Sequence, residues 1–479
     1  MMPTELATRL RGDRRALLAP AHIAEVCAGR VLRRGNPAGR VVTDSRELRA
    51  GDCFVALPGE KFDGHTFLSE AFARGAAGAV VCRPVSRNLL CSGAFVVRVE
   101  DTFAALLRLA QDHRRQHRAK VVGITGSCGK TSTKDMLWRV LERVVPTIGS
   151  PKSFNNHIGV PLTLFHLRPE TEVAVVEMGT SGPGEIARLA EVVQPDIGIV
   201  TRIDESHLMR LGSVEGVAYE KSRLVAALRE DGLAILNGDD PRSPLLRAAT
   251  RARTVEVRLD READWFATDL SFHGLGTSFR LQGETPVTLP HLGSHNVYNA
   301  LFTIAAASEL GVPLDDILAG LCEAPLSARR LERKQLGDVV VIDDTYNANP
   351  ASAKAGLRAV AGLPVKGRRL VALGEMLELG PRSLALHSEL GEAVAEAGID
   401  VLIAVGEGAQ AIAEAALAAG MPQSAVHRTS DAHAALELLR GELRAGDTLL
   451  CKASRAVGLE RLVDGLAAQY AAAPMQQPS

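Results

Sequence analysis

Short, wholly apolar runs separated by amphipathic stretches organise most of this chain. Beyond Lys120 the runs Val121-Val122-Gly123-Ile124, Val173–Val176, Ile197–Val200 and Leu233–Leu236 read as strands buried on both faces. A helix through Met136, Leu137 and Val140 lies between the first two, so the pattern predicts a parallel sheet with helices on either side. Each run ends in polar or glycine residues, at the edge where open α/β sheets hold their ligands. The less regular stretch Thr254–Pro290 predicts antiparallel strands, and a helix over Val297–Leu310 closes this region. A second series begins near Gly337, with strands at Val339–Ile342, Leu370–Leu373, Val401–Val405 and Thr448–Cys451. Ahead of both series, Val41-Val42, Cys53–Leu57 and Ala79–Val81 alternate with an alanine-rich helix at Leu68–Ala73. A helix over Thr102–Ala119, increasingly charged, bridges into the centre. The expected fold is therefore α/β in three domains. These are a small mixed α/β N-terminal domain (1–115), a central parallel-sheet domain (116–330) and a C-terminal Rossmann-like α/β domain (331–479). The alanine- and glutamine-rich tail after Tyr470 is expected to fray.

Composition narrows the class. A chain of 479 residues exceeds one ordinary core, in keeping with about three domains. A net charge of -1 gives no bulk attraction to nucleic acid or an anionic membrane. The arginines at 114, 115 and 118 read as a solvated helix face. Seven scattered cysteines without a C-x-x-C pair indicate neither a disulfide framework nor a zinc site. No signal-peptide core opens the chain and no apolar run is long enough for a bilayer, so a cytoplasmic protein without membrane insertion is expected.

The chemistry starts at Gly126-Ser127-Cys128-Gly129-Lys130-Thr131, between a predicted strand and a predicted helix. Glycines let backbone N–H groups approach phosphate oxygens, the helix N-terminus adds partial positive charge, Lys130 reaches the outer phosphates and Thr131 can ligate Mg²⁺. Ile124 stands where the longer pattern wants glycine, so only the shorter G-x-x-G-K-T form is met. Glu177 follows a strand at its C-terminal edge, where it could hold Mg²⁺ or serve as a turn carboxylate; the glycines at 179, 182 and 184 favour the metal. His207 follows the strand Ile197–Val200 and could be structural or a ligand. Lys221, taken alone, reads as a surface lysine on a helix. Asn155-Asn156 suits a simple turn, and Asn296 and Asn299 suit a helix cap. Asp343-Asp344-Thr345-Tyr346-Asn347-Ala348-Asn349-Pro350 ends a strand and opens a helix, with Pro350 suited to its first turn. Two carboxylates, a phenol and two amides exceed what a loop needs, which marks a ligand loop.

Together these segments resemble the Mur ligases of bacterial peptidoglycan synthesis over nearly the whole chain. Asp44-Ser45-Arg46, Gly51-Asp52, Phe54, Ala56-Leu57, Gly59 and Asp63-Gly64-His65 resemble the family's UDP-sugar-binding domain. Gly126–Thr131, Asn155-Asn156, Glu177-Met178-Gly179 and His207 resemble its central P-loop ATPase domain. Tyr346-Asn347-Ala348-Asn349-Pro350 matches the D-alanyl-D-alanine-adding type, supported by Gly374–Gly380, His387 and Lys452–Arg455. The diamino-acid-adding type has a different loop and a downstream Asp-Asn-Pro-Arg motif that this sequence lacks. Four positions depart from the pattern: Asp204 and Ala453 for glycine, Met209 for glutamate and Glu375 for aspartate.

The resemblance implies ATP-dependent ligation of D-alanyl-D-alanine to UDP-N-acetylmuramoyl-tripeptide through an acyl phosphate, by a monomer. It implies that Gly126, Ser127, Gly129, Lys130 and Thr131 bind ATP, with Asn296 and Asn299 near adenine and Arg330 and Asp344 near ribose and phosphates. Thr131 and Glu177 would hold Mg²⁺; His207 and Lys221 would hold a second, Lys221 as a CO₂-derived carbamate. Lys130, Glu177, His207 and Lys221 would thus carry catalysis. Ser45, Arg46, Asn155, Asn156, Tyr346, Asn347 and Asn349 would contact substrates. The diamino-acid-adding ligase or a folylpolyglutamate-synthetase-like amide ligase is the nearest alternative. A nucleotide-switched binding protein is an alternative of another class, one that would leave Asp343–Pro350 without work.

Overall fold

The computed structural model describes residues 18–59, 62–90, 93–273, 276–324 and 327–472. Two compact units emerge: Met1–Val121 with Ser150–Val176 and Arg188–Gln194, and Val122–Gly149 with Glu177–Ala187 and Pro195–Ser479.

In the smaller unit, β1 (Arg30–Arg33), β2 (Val41–Val42), β3 (Cys53–Val55), β4 (Gly78–Val81) and β5 (Phe95–Arg98) form a sheet in the order β1-β5-β4-β3-β2. Only β1 is antiparallel to its neighbour. Val80, Phe95 and Leu106 pack on one face, Phe54, Leu68 and Val81 on the other. The bridging helix starts where Asp101 accepts from Phe103 N at 2.7 Å, and it ends at Arg115 instead of Ala119. Arg114 is the cause. Far from being solvated, it is 8% exposed and donates to Val193 O (3.0 Å) and His117 O (2.9 Å), which turns the chain.

The next strands in chain order are β6 (Lys120–Thr125), β7 (Thr147–Gly149), β8 (Val173–Glu177), β9 (Ile197–Val200), β10 (Leu233–Asn237), β11 (Arg253–Leu259), β12 (Trp265–His273), β13 (Gly276–Leu281) and β14 (Thr285–Leu289). Within the larger unit the order runs β14-β13-β12-β11-β10-β9-β6. Pairing is parallel from β6 through β12 and antiparallel only from β12 to β14. The antiparallel expectation over Thr254–Pro290 thus fails for β11. A helix, Ser243–Ala248, crosses between β10 and β11 and returns the chain in the same direction.

The last sheet comprises β15 (Glu332–Leu336), β16 (Val339–Asp343), β17 (Arg369–Gly374), β18 (Val401–Val405), β19 (Val426–Thr429) and β20 (Thr448–Lys452), ordered β15-β16-β20-β17-β18-β19. It is parallel apart from β15, and apolar clusters cover both faces. The α/β architecture with parallel-rich sheets is the one expected. A helix, Glu460–Ala472, ends the described chain; the expected fraying falls on residues 473–479 and the signal-peptide reading on residues 1–17, outside the described residues. Among described residues no helix is long and apolar enough to cross a membrane, and the cysteines are free.

Candidate functional site

The glycine-rich loop is preformed. It leaves the buried β6 at Gly126 (φ 152°), turns at Gly129 (φ 84°) and enters the helix Lys130–Glu142. A Cβ on Gly126 would lie 1.9 Å from Thr201 Oγ1, and one on Gly129 2.7 Å from Asn299 Oδ1, so both glycines are required by space and by φ. Thr201 Oγ1 donates to Cys128 O (2.6 Å), and Ser127 Oγ donates to Asp204 O (2.9 Å) while accepting from Asp204 N (3.0 Å). The end of β9 therefore braces the loop, and the helix N-terminus leaves its first N–H groups free for an anion. Lys130 Nζ folds onto Gly126 O at 2.6 Å; burial lowers its pKa against the opposing pull of Glu177. Burial pushes the Cys128 thiol up to about 11, which disfavours its thiolate form.

Glu177, 1% exposed, ends β8, and its neighbour Met178 donates N–H to Ile124 O at 2.8 Å. Lys221 overturns the surface reading: it is 1% exposed, whereas Tyr219 on the same helix, Val214–Ala226, is 63% exposed. Helical geometry turns residues two apart to different faces, which sequence alone cannot orient. Burial, then the charge of Lys130, holds the Lys221 amine well below the ordinary lysine range. The adjacent Glu220 is engaged elsewhere, accepting from Gly184 N and Ile186 N at 2.7 Å each. His207 adopts left-handed backbone (φ 55°) and its Nδ1 meets Glu378 Oε2, which leaves Nε2 for another partner. Burial depresses its pKa while Glu378 opposes. Glu378 lies in the Gly374–Gly380 segment, 171 residues from His207, and no local sequence signal links the two.

Asn296 and Asn299 are not caps. The helix begins at Ser294 with Gly293 as its N-cap, and both asparagines are buried inside it. Thr133 Oγ1 donates to Asn299 Oδ1 (3.1 Å), Asn299 Nδ2 to Asn296 Oδ1 (3.0 Å) and Asn296 Nδ2 to Leu292 O (2.9 Å), which ties this helix to the one after the glycine-rich loop.

The Asp343–Pro350 loop reaches the same place. Arg330 Nη2 donates to Thr131 Oγ1 at 3.0 Å while its guanidinium stacks 4.1 Å over the Tyr346 ring; Arg329 instead pairs with Asp464 at 3.0 Å. Asn349 Nδ2 donates to Ser127 O at 3.4 Å, and its Oδ1 accepts from Ser352 N (2.8 Å), capping the helix whose first residue is Pro350. Lys452 Nζ bridges Asp344 Oδ2 (2.7 Å) and Asn347 O (2.9 Å). Burial raises the Asp344 carboxyl against the pull of Lys452. Met376 N donates to His387 Nε2 (2.8 Å), whose Nδ1 donates to Ser383 O (2.7 Å), fixing the Gly374–Gly380 segment.

The larger unit therefore brings together Gly126–Thr131, His207, Asn296, Asn299, Arg330, Asp344, Tyr346, Asn347 and Asn349 around one loop. Ser45, Arg46, Asn155 and Asn156 belong to the smaller unit. There, Asp44 caps the turn by accepting from Arg46 N (2.9 Å), and the Ser45 and Arg46 carbonyls accept from Arg74 (3.2 and 3.3 Å). Asn156 Oδ1 accepts from Ile158 N (3.1 Å) and Gly159 N (2.9 Å), the turn expected after Asn155.

Family models match three stretches: "Mur ligase family, catalytic domain" at 39–118, "Mur ligase middle domain" at 124–307 and "Mur ligase, glutamate ligase domain" at 329–455. The UDP-N-acetylmuramoyl-tripeptide–D-alanyl-D-alanine ligase of Bacillus subtilis (strain 168) is 37% identical over 428 residues, 89% of this chain and 92% of the relative. The protein of that name in Escherichia coli (strain K12) is 37% identical over 432 residues, 89% and 93% of the two chains. The crystal structure of MurF from Acinetobacter baumannii superposes with TM-score 0.85 at 32% identity, covering 94% of this chain and 98% of that one. MurF from Thermotoga maritima in complex with ADP gives TM-score 0.79 at 27% identity, covering 90% and 98%. With three matched domains and relatives alike over most of their length, the chain belongs to the Mur ligase family, on its MurF branch.

Proposed function

We propose that this protein is an ATP-dependent peptide ligase that joins D-alanyl-D-alanine to UDP-N-acetylmuramoyl-tripeptide in the cytoplasm, releasing ADP and phosphate. The names of its relatives and the ADP bound by the Thermotoga maritima structure support the reading. Residues 1–115 would hold the UDP-sugar, with Ser45 and Arg46 in contact, 116–330 the ATP and 331–479 the acceptor.

The tripeptide carboxylate would attack the γ-phosphorus of ATP, expelling ADP. The acceptor amine would then attack the acyl carbon, and the C–O bond to phosphate would break as the amide forms. Loop N–H groups and Lys130 would neutralise the phosphoryl oxygens. Asn296 and Asn299 would border the adenine, while Arg330 and Asp344 would border ribose and phosphates. Asn155 and Asn156 would steady the donor, and Tyr346, Asn347 and Asn349 would shape the acceptor site.

The donor set fits Mg²⁺, since the Thr131 hydroxyl and the Glu177 carboxylate offer hard oxygen ligands. No cluster of three or more His, Cys, Asp or Glu suited to a metal exists among the described residues, so nucleotide oxygens and water would complete the shell. His207 and Lys221 would hold a second ion. The buried, pKa-depressed Lys221 amine suits uptake of CO₂: its nitrogen adds to the carbon, a proton leaves, and an anionic oxygen ligand results. Bound Mg²⁺ would supply charge neutralisation at the phosphoryl group.

The observation that carries this proposal is Arg330, which bonds Thr131 of the glycine-rich loop and stacks on Tyr346 of the Asp343–Pro350 loop, so that one site would serve nucleotide and acceptor. The test is phosphate release from ATP with UDP-N-acetylmuramoyl-tripeptide, with and without D-alanyl-D-alanine. Release that needs both, with a pentapeptide product by mass, is expected. Release with a diamino acid and the dipeptide precursor instead would reassign the acceptor.

A further inference from the structure

We propose that Arg455 forms an anion subsite that anchors the free carboxylate of the acceptor peptide; this deepens the ligase reading and rests on it. The Tyr346 ring has guanidinium groups at two distances, Arg330 at 4.1 Å and Arg455 at 5.7 Å. Arg330 is committed to Thr131. Among the described residues no hydrogen bond holds the Arg455 guanidinium, and its ion-pair partner is Glu460. The Arg455 side chain is 59% exposed, and the carboxylate of Glu460 lies 4.0 Å away. Lys452, three residues earlier, is engaged with Asp344 at 2.7 Å.

The stem of Arg455 is nevertheless held. Its N–H donates to Asn347 Oδ1 at 3.4 Å. The preceding Ser454 donates its N–H to Glu375 O (3.0 Å) and accepts from Leu377 N (2.9 Å). A fixed backbone with an exposed guanidinium head, paired only at 4.0 Å, is pre-organised for an anion, and the planar fork of arginine matches a carboxylate bidentately.

The acceptor's chemistry sets where that anion must be. Its amine has to reach the acyl carbon beside the phosphate loop, and a dipeptide extends about 7 Å from end to end. The carboxylate therefore falls about 7 Å from the reacting end, and Arg455, like Arg330, lies beside the Tyr346 ring of the ligand loop. Recognition at this point would select peptides ending in a free carboxylate over amidated or extended ones.

The experiment crosses residue against ligand: wild type, Arg455→Met and Arg455→Lys, each with D-alanyl-D-alanine and with D-alanyl-D-alaninamide. Wild type is expected to lose about ten- to a hundredfold in kcat/KM when the carboxylate is amidated, and Arg455→Met a similar factor with the acid. The Met variant should show no further loss with the amide, and Arg455→Lys should recover part of the loss with the acid. Equal impairment of both acceptors by Arg455→Met, or of neither, would overturn the proposal while leaving the ligase reading standing. Wild-type enzyme that transfers to neither acceptor would overturn both.

Discussion

His207 and Glu378, 171 residues apart in sequence, join through Nδ1 and Oε2, and both hold left-handed backbone at φ 55° and 64°. A second bond runs between the same loops, from Met209 N to Glu378 O at 3.2 Å, and Arg382 pairs with Glu205 beside it. Leu208, Met376 and Leu379 are buried in one apolar cluster beneath the clasp. Non-glycine residues in this conformation persist where surrounding contacts over-determine them.

Glu378 is therefore expected to orient the imidazole for whatever Nε2 binds. Glu378→Ala should cost about 10- to 100-fold in kcat/KM and weaken Mn²⁺ binding, measured by titration in the presence of a non-hydrolysable ATP analogue. Glu378→Gln, which can still accept a hydrogen bond, should cost less. Unchanged metal affinity and turnover in Glu378→Ala would refute this role.

Lys221→Ala should lose most activity and regain some with added short-chain carboxylates, which can stand in for a carbamate oxygen. With carbon-labelled bicarbonate, wild type should show a carbamate resonance that the variant lacks. Full activity in the unaided variant would remove Lys221 from the mechanism.

Gly126→Ala should abolish nucleotide binding, because the added methyl would sit 1.9 Å from Thr201 Oγ1 at a φ that disfavours alanine. Calorimetric titration with an ATP analogue measures this directly. Wild-type affinity would mean that the loop is not the phosphate site.

Asp447 gives a stability prediction with a pH signature. Its carboxylate accepts from Arg368 Nη2 (2.8 Å), Arg368 N (3.0 Å) and Arg444 N (2.9 Å). Burial pushes the carboxyl up, but these hydrogen bonds outweigh it and hold the pKa below the ordinary range. A depressed folded pKa means the contribution is present above the unfolded value of about 3.9 and is lost as pH falls through the lower folded value. Asp447→Asn should cost about 3 kcal/mol at pH 7 and flatten the acid limb of the stability profile, read by urea denaturation. An unchanged acid limb would count against it.

The parallel sheets and the glycine turn into the helix at Lys130 were legible because their signals are local: apolar runs flanked by glycine, and a lysine and threonine at a helix start. The edge strands of the last sheet escaped notice. β15 reads Glu-Arg-Lys-Gln-Leu and β19 Val-His-Arg-Thr, and strands at a sheet edge need no apolar run. Lys221 and Arg114 were misread for a common reason, since neither a helix phase nor a buried carbonyl partner is written in nearby residues. The pairs His207–Glu378 and Arg330–Tyr346 join distant segments, so only folding reveals them.

The most direct measurement follows heavy oxygen from the tripeptide carboxylate during turnover with ATP and D-alanyl-D-alanine. An acyl phosphate requires that one labelled oxygen leave with each phosphate and the other remain in the new amide. Unlabelled phosphate accompanying a normal yield of product would contradict the phosphoryl-transfer account of this site.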